Sequence, residues 1–332
     1  MLVDAPLINR LASRHTDCLL LRLRHGPIDA QVQVECDPAY HQQISQALSD
    51  RFSGLLQSIV DELSDLRSPL SAECPDTNVA PLALSSQMMF PPNGAGACDP
   101  CLTTTHPQSI SVPQQMRLAA TQVRDFNVTP MIAVAGAVAD ILLGVILGAA
   151  QSHVEEGPTP QQTMPAQPIR RAWVNNGGDI AVYLNEASKF VCGWVQKLAD
   201  AGPSGQLSFR GGDGVGGVCT SGREGRSFSL GIADSVSVLA RNAALADAAA
   251  TVIANAVDLP GHSAIKRVPA NELAPDSDLG SRLVVVGTGV LDSSDIRNAL
   301  ARGRRRAELL CQRGIIRTAA LSLAGEVELV RR

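Results

Sequence analysis

The residues of this chain best suited to chemistry are a carboxylate and a hydroxyl, Asp247 and Thr251, within an alanine-rich segment. Because they are four residues apart, a helix places both oxygens on one face, one turn from each other. Such hard oxygen donors suit Mg²⁺ or Ca²⁺, with carbonyls, water or a ligand phosphate completing the shell. The spacing equally allows Asp247 to cap a local hydrogen-bond network and Thr251 to bond a carbonyl of its own helix.

The segment before this helix is rich in glycine and hydroxyl groups. Residues 211–229 are predicted to form a polar loop, 233–240 a strand, and the alanine-rich run after it a helix. A glycine-rich loop can present backbone N–H groups to a phosphate, although this one lacks the lysine and spacing of a Walker loop. A flexible hairpin loop explains the same composition, so both interpretations stay open.

A second glycine-containing motif, Asn176-Gly-Gly-Asp179, lies between predicted strands at 171–175 and 180–184. Asn-Gly is the usual signal for a type I′ hairpin turn. Two glycines also let a backbone approach a ligand closely.

Two further groups of residues give weaker signals. Cys98 and Cys101 form a CxxC with Cys74 and His106 nearby, but irregular spacing and the lack of a second CxxC argue against zinc or redox function. The arginines at 302 and 304–306 are interpreted as a solvated helix face rather than a phosphate clamp.

The composition narrows the class of protein. Of 332 residues 45% are hydrophobic and 18% charged, which is enough for a sizeable core, and the net charge of −4 predicts no nucleic-acid partner. The first residues, MLVDAPLINR, carry an acid and no apolar signal-peptide region. We therefore expect a cytoplasmic protein with reduced thiols.

One apolar segment, 128–150, is long enough to span a bilayer. It contains Asp140, which costs about 2.5–3.5 kcal/mol on membrane-insertion scales. It is also rich in Ala and Gly rather than Leu and Phe. We therefore expect a buried helix in a soluble protein and no membrane partner.

The element pattern predicts an α+β protein in two halves rather than a doubly wound sheet. The N-terminal half, 1–151, holds a hairpin around 25–29, a long helix from Asp37-Pro38 to about Arg67, a loop insertion at 68–112 and the buried helix. A linker at 152–170 precedes the C-terminal half, 171–332, which carries the candidate ligand site.

Several motifs resemble an uncharacterised family related to ApbE, the flavin transferases that move FMN from FAD onto a protein threonine. The matching pieces are His25-Gly-Pro-Ile-Asp29, residues 130–140, residues 175–180, Cys219-Thr-Ser-Gly222, Arg226-Ser-Phe-Ser229, residues 233–236 and residues 246–251. The resemblance covers most of the chain. The chain departs from the transferases in lacking a Lys-Gly within 135–140 and in carrying an insertion at about 73–104.

The resemblance implies a duplicated T-fold with long helices on antiparallel sheets and a Mg²⁺ ion at the pyrophosphate of FAD. By motif match, Asp247 and Thr251 would hold the metal, with a backbone carbonyl near Gly136 completing the shell. We expect the cofactor contacts to be Asn176, Gly177, Gly178, Asp179, Thr220, Ser221, Gly222, Ser227, Asp234 and Ser235.

The motifs and the resemblance suggest three hypotheses for the function of this chain. The first is a Mg²⁺-assisted enzyme that binds FAD or another nucleotide with a planar heterocycle, of flavin-transferase type. The second is an enzyme in the biosynthesis of a pterin-type, tetrahydromethanopterin-like one-carbon cofactor. The third is a non-catalytic flavin or nucleotide binder that forms complexes. In each case the partner is a small molecule, the chain is a candidate homo-oligomer, and no catalytic residue is identified.

Overall fold

A computed structural model of the chain describes residues 5–70, 110–152, 168–194 and 205–332. Its strands are β1 (Leu7–Arg10), β2 (Cys18–His25), β3 (Ile28–Cys36), β4 (Ile169–Asn176), β5 (Asp179–Leu184), β6 (Lys189–Trp194), β7 (Gly205–Arg210), β8 (Gly217–Ser221), β9 (Ser235–Ala240), β10 (Ile265–Pro269), β11 (Leu283–Thr288), β12 (Ile316–Leu323) and β13 (Glu326–Arg331). Its α-helices are α1 (His41–Ser53), α2 (Leu55–Asp61), α3 (Leu63–Leu66), α4 (Val112–Thr121), α5 (Val134–Ser152), α6 (Ala243–Ala256), α7 (Ala270–Leu273) and α8 (Ser293–Gln312).

Nine strands of the described chain form one antiparallel sheet in the order β1-β2-β3-β4-β5-β8-β9-β12-β13. Alternating apolar residues build it: Leu19, Leu21 and Leu23 of β2 are all buried on one face. The sheet runs across the two predicted halves, because β3 pairs with β4 in a register that places Val32 opposite Val174. The predicted α+β class with antiparallel sheets is confirmed.

Helices cover one face of this sheet. α5 packs on β4 and β5, α6 packs on β8 and β9, and the two helices also pack against each other. α5 is apolar and long enough to cross a membrane, but most of it is buried inside the fold. The prediction of a buried helix at 128–150 agrees with this packing.

The opposite face of the sheet carries a smaller core. The β6–β7 ribbon brings Phe190 and Phe209 together, with ring centroids 5.5 Å apart, against Val182 and Leu184 of β5. Neighbouring Ala181 belongs to the helix-side core, so β5 is buried on both faces.

The observed elements correct several predictions. The predicted long helix is divided into α1, α2 and α3, and the first break falls at Gly54, a residue of low helix propensity. The buried helix starts at Val134, after a 3₁₀ turn at Pro130–Ala133. The run 211–229 is not all loop, because 217–221 forms β8, and β1 and β10 were not predicted. Cys74, Cys98, Cys101 and His106 lie outside the described residues, as does most of the 68–112 loop.

Candidate ligand site

A cavity of about 1160 Å³ opens beside α6, β8, the β4–β5 turn and α8. Its walls include most of the predicted site residues: Gly177, Asp179, Thr220, Ser221, Gly222, Ser227, Asp247 and Thr251. Residues from distant parts of the chain therefore converge on one space. Apolar side chains also line it, among them Met131, Ile132, Leu230 and Val252.

α6 presents Asp247 and Thr251 to this cavity on one face, as their spacing predicts. Asn242 starts the helix, and its side chain accepts a hydrogen bond from the backbone N–H of Leu245 at 2.9 Å. The hydroxyl of Thr251 donates to Ser221 Oγ at 3.5 Å, rather than to a carbonyl of its own helix. Because the hydroxyl is the donor in this contact, the oxygen of Thr251 keeps its lone pairs for a ligand.

The carboxylate of Asp247 lies at the N-terminus of α5. Gly136 N–H donates to its Oδ2 at 3.0 Å, and the backbone of Ala135 also donates to the carboxylate. These are N–H groups of the first turn, which have no partner within their own helix. Gly136 thus contributes its N–H to Asp247, and the metal-binding role predicted for its carbonyl stays a prediction.

Close packing of α5 and α6 makes this arrangement possible. A methyl group added at Gly136 would collide with the backbone carbonyl of Ala243, so only glycine allows the helices to approach this closely here. Asp140 of α5 makes the reciprocal contact, because its two oxygens accept from the N–H groups of Ala243 and Ala244 at 2.8 and 2.9 Å. Each helix therefore supplies an aspartate to the N-terminus of the other.

Asp179 enters the cavity from the turn between β4 and β5. This turn is a two-residue hairpin loop in which Gly177 and Gly178 have φ of 71° and 110°. Burial raises the pKa of Asp179 to about 6, against hydrogen bonds from the Cys219 thiol and the Thr220 N–H that lower it. Its Oδ1 is buried without a hydrogen-bond partner among the described residues.

Asn176, at the other end of the same turn, links the hairpin to α5. Its Nδ2 donates to the carbonyl of Ala135 at 3.2 Å, while its buried Oδ1 has no partner in the described part of the chain. Both ends of the turn thus hold an oxygen acceptor that the described protein leaves unused. A buried acceptor without a donor is costly unless a ligand or ion satisfies it.

The carboxylates of Asp179 and Asp247 repel each other where both face the cavity. Burial, and then the negative charge of Asp179, raise the pKa of Asp247 well above its usual range. Among the described residues, no group of three or more His, Cys, Asp or Glu could hold a metal ion. A hard cation here could be held by Asp247, Thr251 and Asp179 only together with oxygens of backbone or ligand.

Other predicted cofactor contacts have different partners. Asp234 forms an ion pair with Arg223 at 2.6 Å and accepts from the N–H of Ala324 at 2.6 Å. Neither Asp234 nor Ser235 is among the residues that line the cavity, and neither is Gly178, whose N–H donates to the side chain of Asn175. Their predicted contact with a cofactor stays a prediction.

The arginines that line the cavity were not predicted as site residues. Arg226 lies directly against Gly177, and the Arg226 charge acts to lower the pKa of Asp179. The run interpreted as a solvated helix face divides: Arg304 pairs with Glu308 at 2.8 Å, whereas 302, 305 and 306 line the cavity. Their positions i, i+3 and i+4 on one helix were the available signal.

Known proteins resemble this chain along most of its length. The model of a family described as AbpE bacteria matches residues 160–329. A UPF0280 protein of Methanospirillum hungatei is 28% identical over 265 residues, which cover 79% of this chain and 93% of that protein. A UPF0280 protein of Methanoculleus marisnigri is 30% identical over 244 residues, covering 72% of this chain and 86% of the relative.

Other matches are shorter. A UPF0280 protein of Methanopyrus kandleri is 39% identical over 144 residues, 43% of this chain and 49% of the relative. The chain therefore spans about half the length of some curated relatives that it matches, and most of the length of others.

Proposed function

The chain belongs to the UPF0280 family and to the bacterial AbpE family, and from this premise we propose that it binds a flavin or a related nucleotide with the help of Mg²⁺. We further propose an enzyme of flavin-transferase type. The observation that carries the proposal is the convergence of Asp247, Thr251 and the unpartnered oxygen of Asp179 on one cavity.

These residues fit a hard cation by their chemistry. Burial, and then repulsion by the neighbouring Asp179 carboxylate, raise the pKa of Asp247, and a divalent cation would relieve that repulsion. The Thr251 hydroxyl supplies a third oxygen of the type that Mg²⁺ prefers. Bound there, Mg²⁺ would act as a Lewis acid and as a template for phosphoryl chemistry.

The surrounding residues fit the phosphates of a nucleotide. The hydroxyls of Thr220, Ser221 and Ser227 line the same wall as Asp179, together with the Arg226 guanidinium. Hydroxyl and guanidinium donors bind phosphate oxygens, and guanidinium does so with two parallel hydrogen bonds. The apolar wall of Met131, Ile132 and Val252 offers a surface on which a planar ring can pack.

Within this proposal the chain's own groups have separate tasks. Asp247, fixed by the first turn of α5, holds the negative charge that binds the cation. Arg226 and the hydroxyls orient the phosphates and balance their charge. Glycine at 177 leaves the space in which the Arg226 guanidinium lies directly against the hairpin turn.

Quenching of flavin fluorescence tests the proposal. We expect FAD to bind at least about tenfold more tightly with Mg²⁺ than with EDTA, since the cation links carboxylates to phosphates. Asp247→Asn should lose this Mg²⁺ enhancement. The matched control is Asp276→Asn, which alters an exposed carboxylate of the same cavity and should keep it.

Two results would contradict this proposal. If FAD does not bind with or without Mg²⁺, the flavin proposal is wrong, and ADP and a reduced pterin become the next probes. If FAD binds equally in Asp247→Asn and in the unaltered protein at every Mg²⁺ concentration, the assigned metal position is wrong.

A further inference from the structure

Five arginines form one wall of the cavity, away from the proposed metal position. This arginine wall consists of Arg67, Arg282, Arg302, Arg305 and Arg306. None of the five forms an ion pair with an acid of the described residues. By contrast, Arg304, which is on α8 with 302, 305 and 306, pairs with both Glu308 and Glu328. Three arginines of α8 that lack an acidic partner among the described residues therefore line the cavity.

Two of these guanidinium groups are held in place by neutral partners. Arg306 lies over the ring of Phe126, 3.7 Å from its centroid, and Nη1 of Arg282 donates to the carbonyl of Asn127 at 3.1 Å. Both partners belong to the segment that joins α4 to α5. The acid of this turn, Asp125, bonds Arg313 at 2.8 Å, and Arg313 does not line the cavity. The wall is therefore positioned without being neutralised.

The acids that face the same wall do not balance it. Asp276 and Asp278 also line the cavity, and Asp278 accepts a hydrogen bond from the Thr129 hydroxyl at 2.6 Å. Five guanidinium groups against these two carboxylates leave an excess of positive charge. Clustered cations that exceed their counter-charges in number repel one another and attract an anion.

The wall is distant from Asp247. α6 lines the cavity from Asp247 to Ala256, a length of about 13 Å at the helical rise. Gly303, next to Arg302, packs against Val257, which directly follows α6, so the arginines of α8 lie towards the C-terminal end of α6. The cavity of about 1160 Å³ is also larger than the usual site for one small ligand, which is about 300–1000 Å³.

We infer that the arginine wall is a second subsite, which binds the polyanionic part of a second substrate beside the proposed nucleotide. The chemistry that it recognises is a group of closely spaced oxyanions with two or more negative charges, either phosphate or carboxylate. The inference rests on the proposed function for the identity of the first ligand. Binding at the wall itself requires neither flavin nor Mg²⁺.

Calorimetric titration with inorganic pyrophosphate and with citrate, both in EDTA, tests this inference. We expect the unaltered protein to bind at least one of these probes, more weakly as salt is raised. The double variant Arg302→Gln, Arg305→Gln should lose about tenfold or more in affinity, since it removes two charge-assisted contacts. Both side chains are exposed, so its thermal unfolding should be unchanged.

Matched variants separate the possible outcomes. Arg304→Gln, whose guanidinium is paired away from the cavity, should bind the probes as the unaltered protein does. Arg226→Gln should change FAD binding and leave probe binding at the wall intact. Preference for pyrophosphate would identify a phosphorylated second substrate, and preference for citrate a polycarboxylate.

Three results would overturn the inference. One is that neither probe binds the unaltered protein. Another is that the double variant binds both probes normally while Arg226→Gln does not. The third is that the double variant loses FAD affinity to the same degree as probe affinity, because the wall would then belong to the nucleotide site. Failure of FAD binding alone would reject the proposed first ligand and leave the wall's binding in place.

Discussion

Asp140 and Asp247 are held by the same kind of contact but lie in different surroundings. Each is an aspartate on one helix that accepts hydrogen bonds from first-turn N–H groups of the other. Asp140 is 1% exposed, and Gln115 donates a third hydrogen bond to it at 3.0 Å. Asp247 faces the cavity and the carboxylate of Asp179. In both cases the N-terminus of a helix holds a carboxylate in place. The carboxylate that is enclosed by the core serves stability, and the one that faces the cavity is available for binding.

Removing the two carboxylates in turn should separate these roles. Asp140→Ala removes three hydrogen bonds and leaves the N–H groups of Ala243 and Ala244 without their partner in the core, so we expect the free energy of unfolding to fall by about 3–5 kcal/mol. Asp247→Ala should cost under about 1 kcal/mol, because the N–H groups that it frees, those of Ala135 and Gly136, lie beside the cavity, where water can replace the carboxylate, and because the repulsion with Asp179 disappears. Urea denaturation measures both. Equal costs for the two variants would contradict the comparison.

Forcing the helices apart should weaken both contacts at once. Gly136→Ala places a methyl group against the backbone of Ala243, and we expect a loss of about 2 kcal/mol in the free energy of unfolding, together with weaker Mg²⁺-dependent binding. Gly144→Ala is the matched control on the same helix. Within the described residues no atom outside this helix lies within 4 Å of a methyl group placed there, so the change should be neutral or stabilising by up to about 1 kcal/mol. Equal behaviour of the two variants would show that the approach at Gly136 is not required.

The pH dependence of stability should report on Asp179. Its pKa is about 6 in the folded protein against 3.8 ordinarily, so between these values the folded state binds more protons than the unfolded state. The contribution of Asp179 to stability is therefore present below about pH 4 and is lost as the pH rises through about 6. Asp179→Asn does not titrate. It should gain stability relative to the unaltered protein between about pH 4 and 7, by on the order of 2 kcal/mol.

Denaturation of both proteins across this pH range measures that difference. A constant difference in the free energy of unfolding would mean that the Asp179 carboxyl is not strained by burial. A difference of the opposite sign would mean that the carboxylate form is the stabilised one.

Local pattern was enough to predict part of this site. The spacing of Asp247 and Thr251 predicted their common helix face, and Asn176-Gly-Gly-Asp179 predicted the hairpin turn. These features depend on periodicity and turn chemistry, which act over a few residues. The convergence of the motifs was expected only through the family resemblance.

Features that depend on long-range packing were not predicted. The reciprocal contacts of Asp140 and Asp247 join residues more than a hundred positions apart, and only the close approach at Gly136 brings them together. The glycine-rich residues that lead into it, 211–217, made the strand at 217–221 look like part of a loop. The arginines of α8 were assigned to solvent because the sequence does not show that a cavity lies beside that helix.

Proton release on Mg²⁺ binding tests most directly whether the Asp247 and Asp179 carboxylates hold the cation. Calorimetry of Mg²⁺ binding to the FAD complex at about pH 6, in two buffers of different ionisation enthalpy, counts the protons released. Because burial raises the pKa of both carboxyl groups, we predict release of about one proton, and both less release and weaker binding in Asp247→Asn. Mg²⁺ binding without proton release, and with unchanged affinity in Asp247→Asn, would contradict the account.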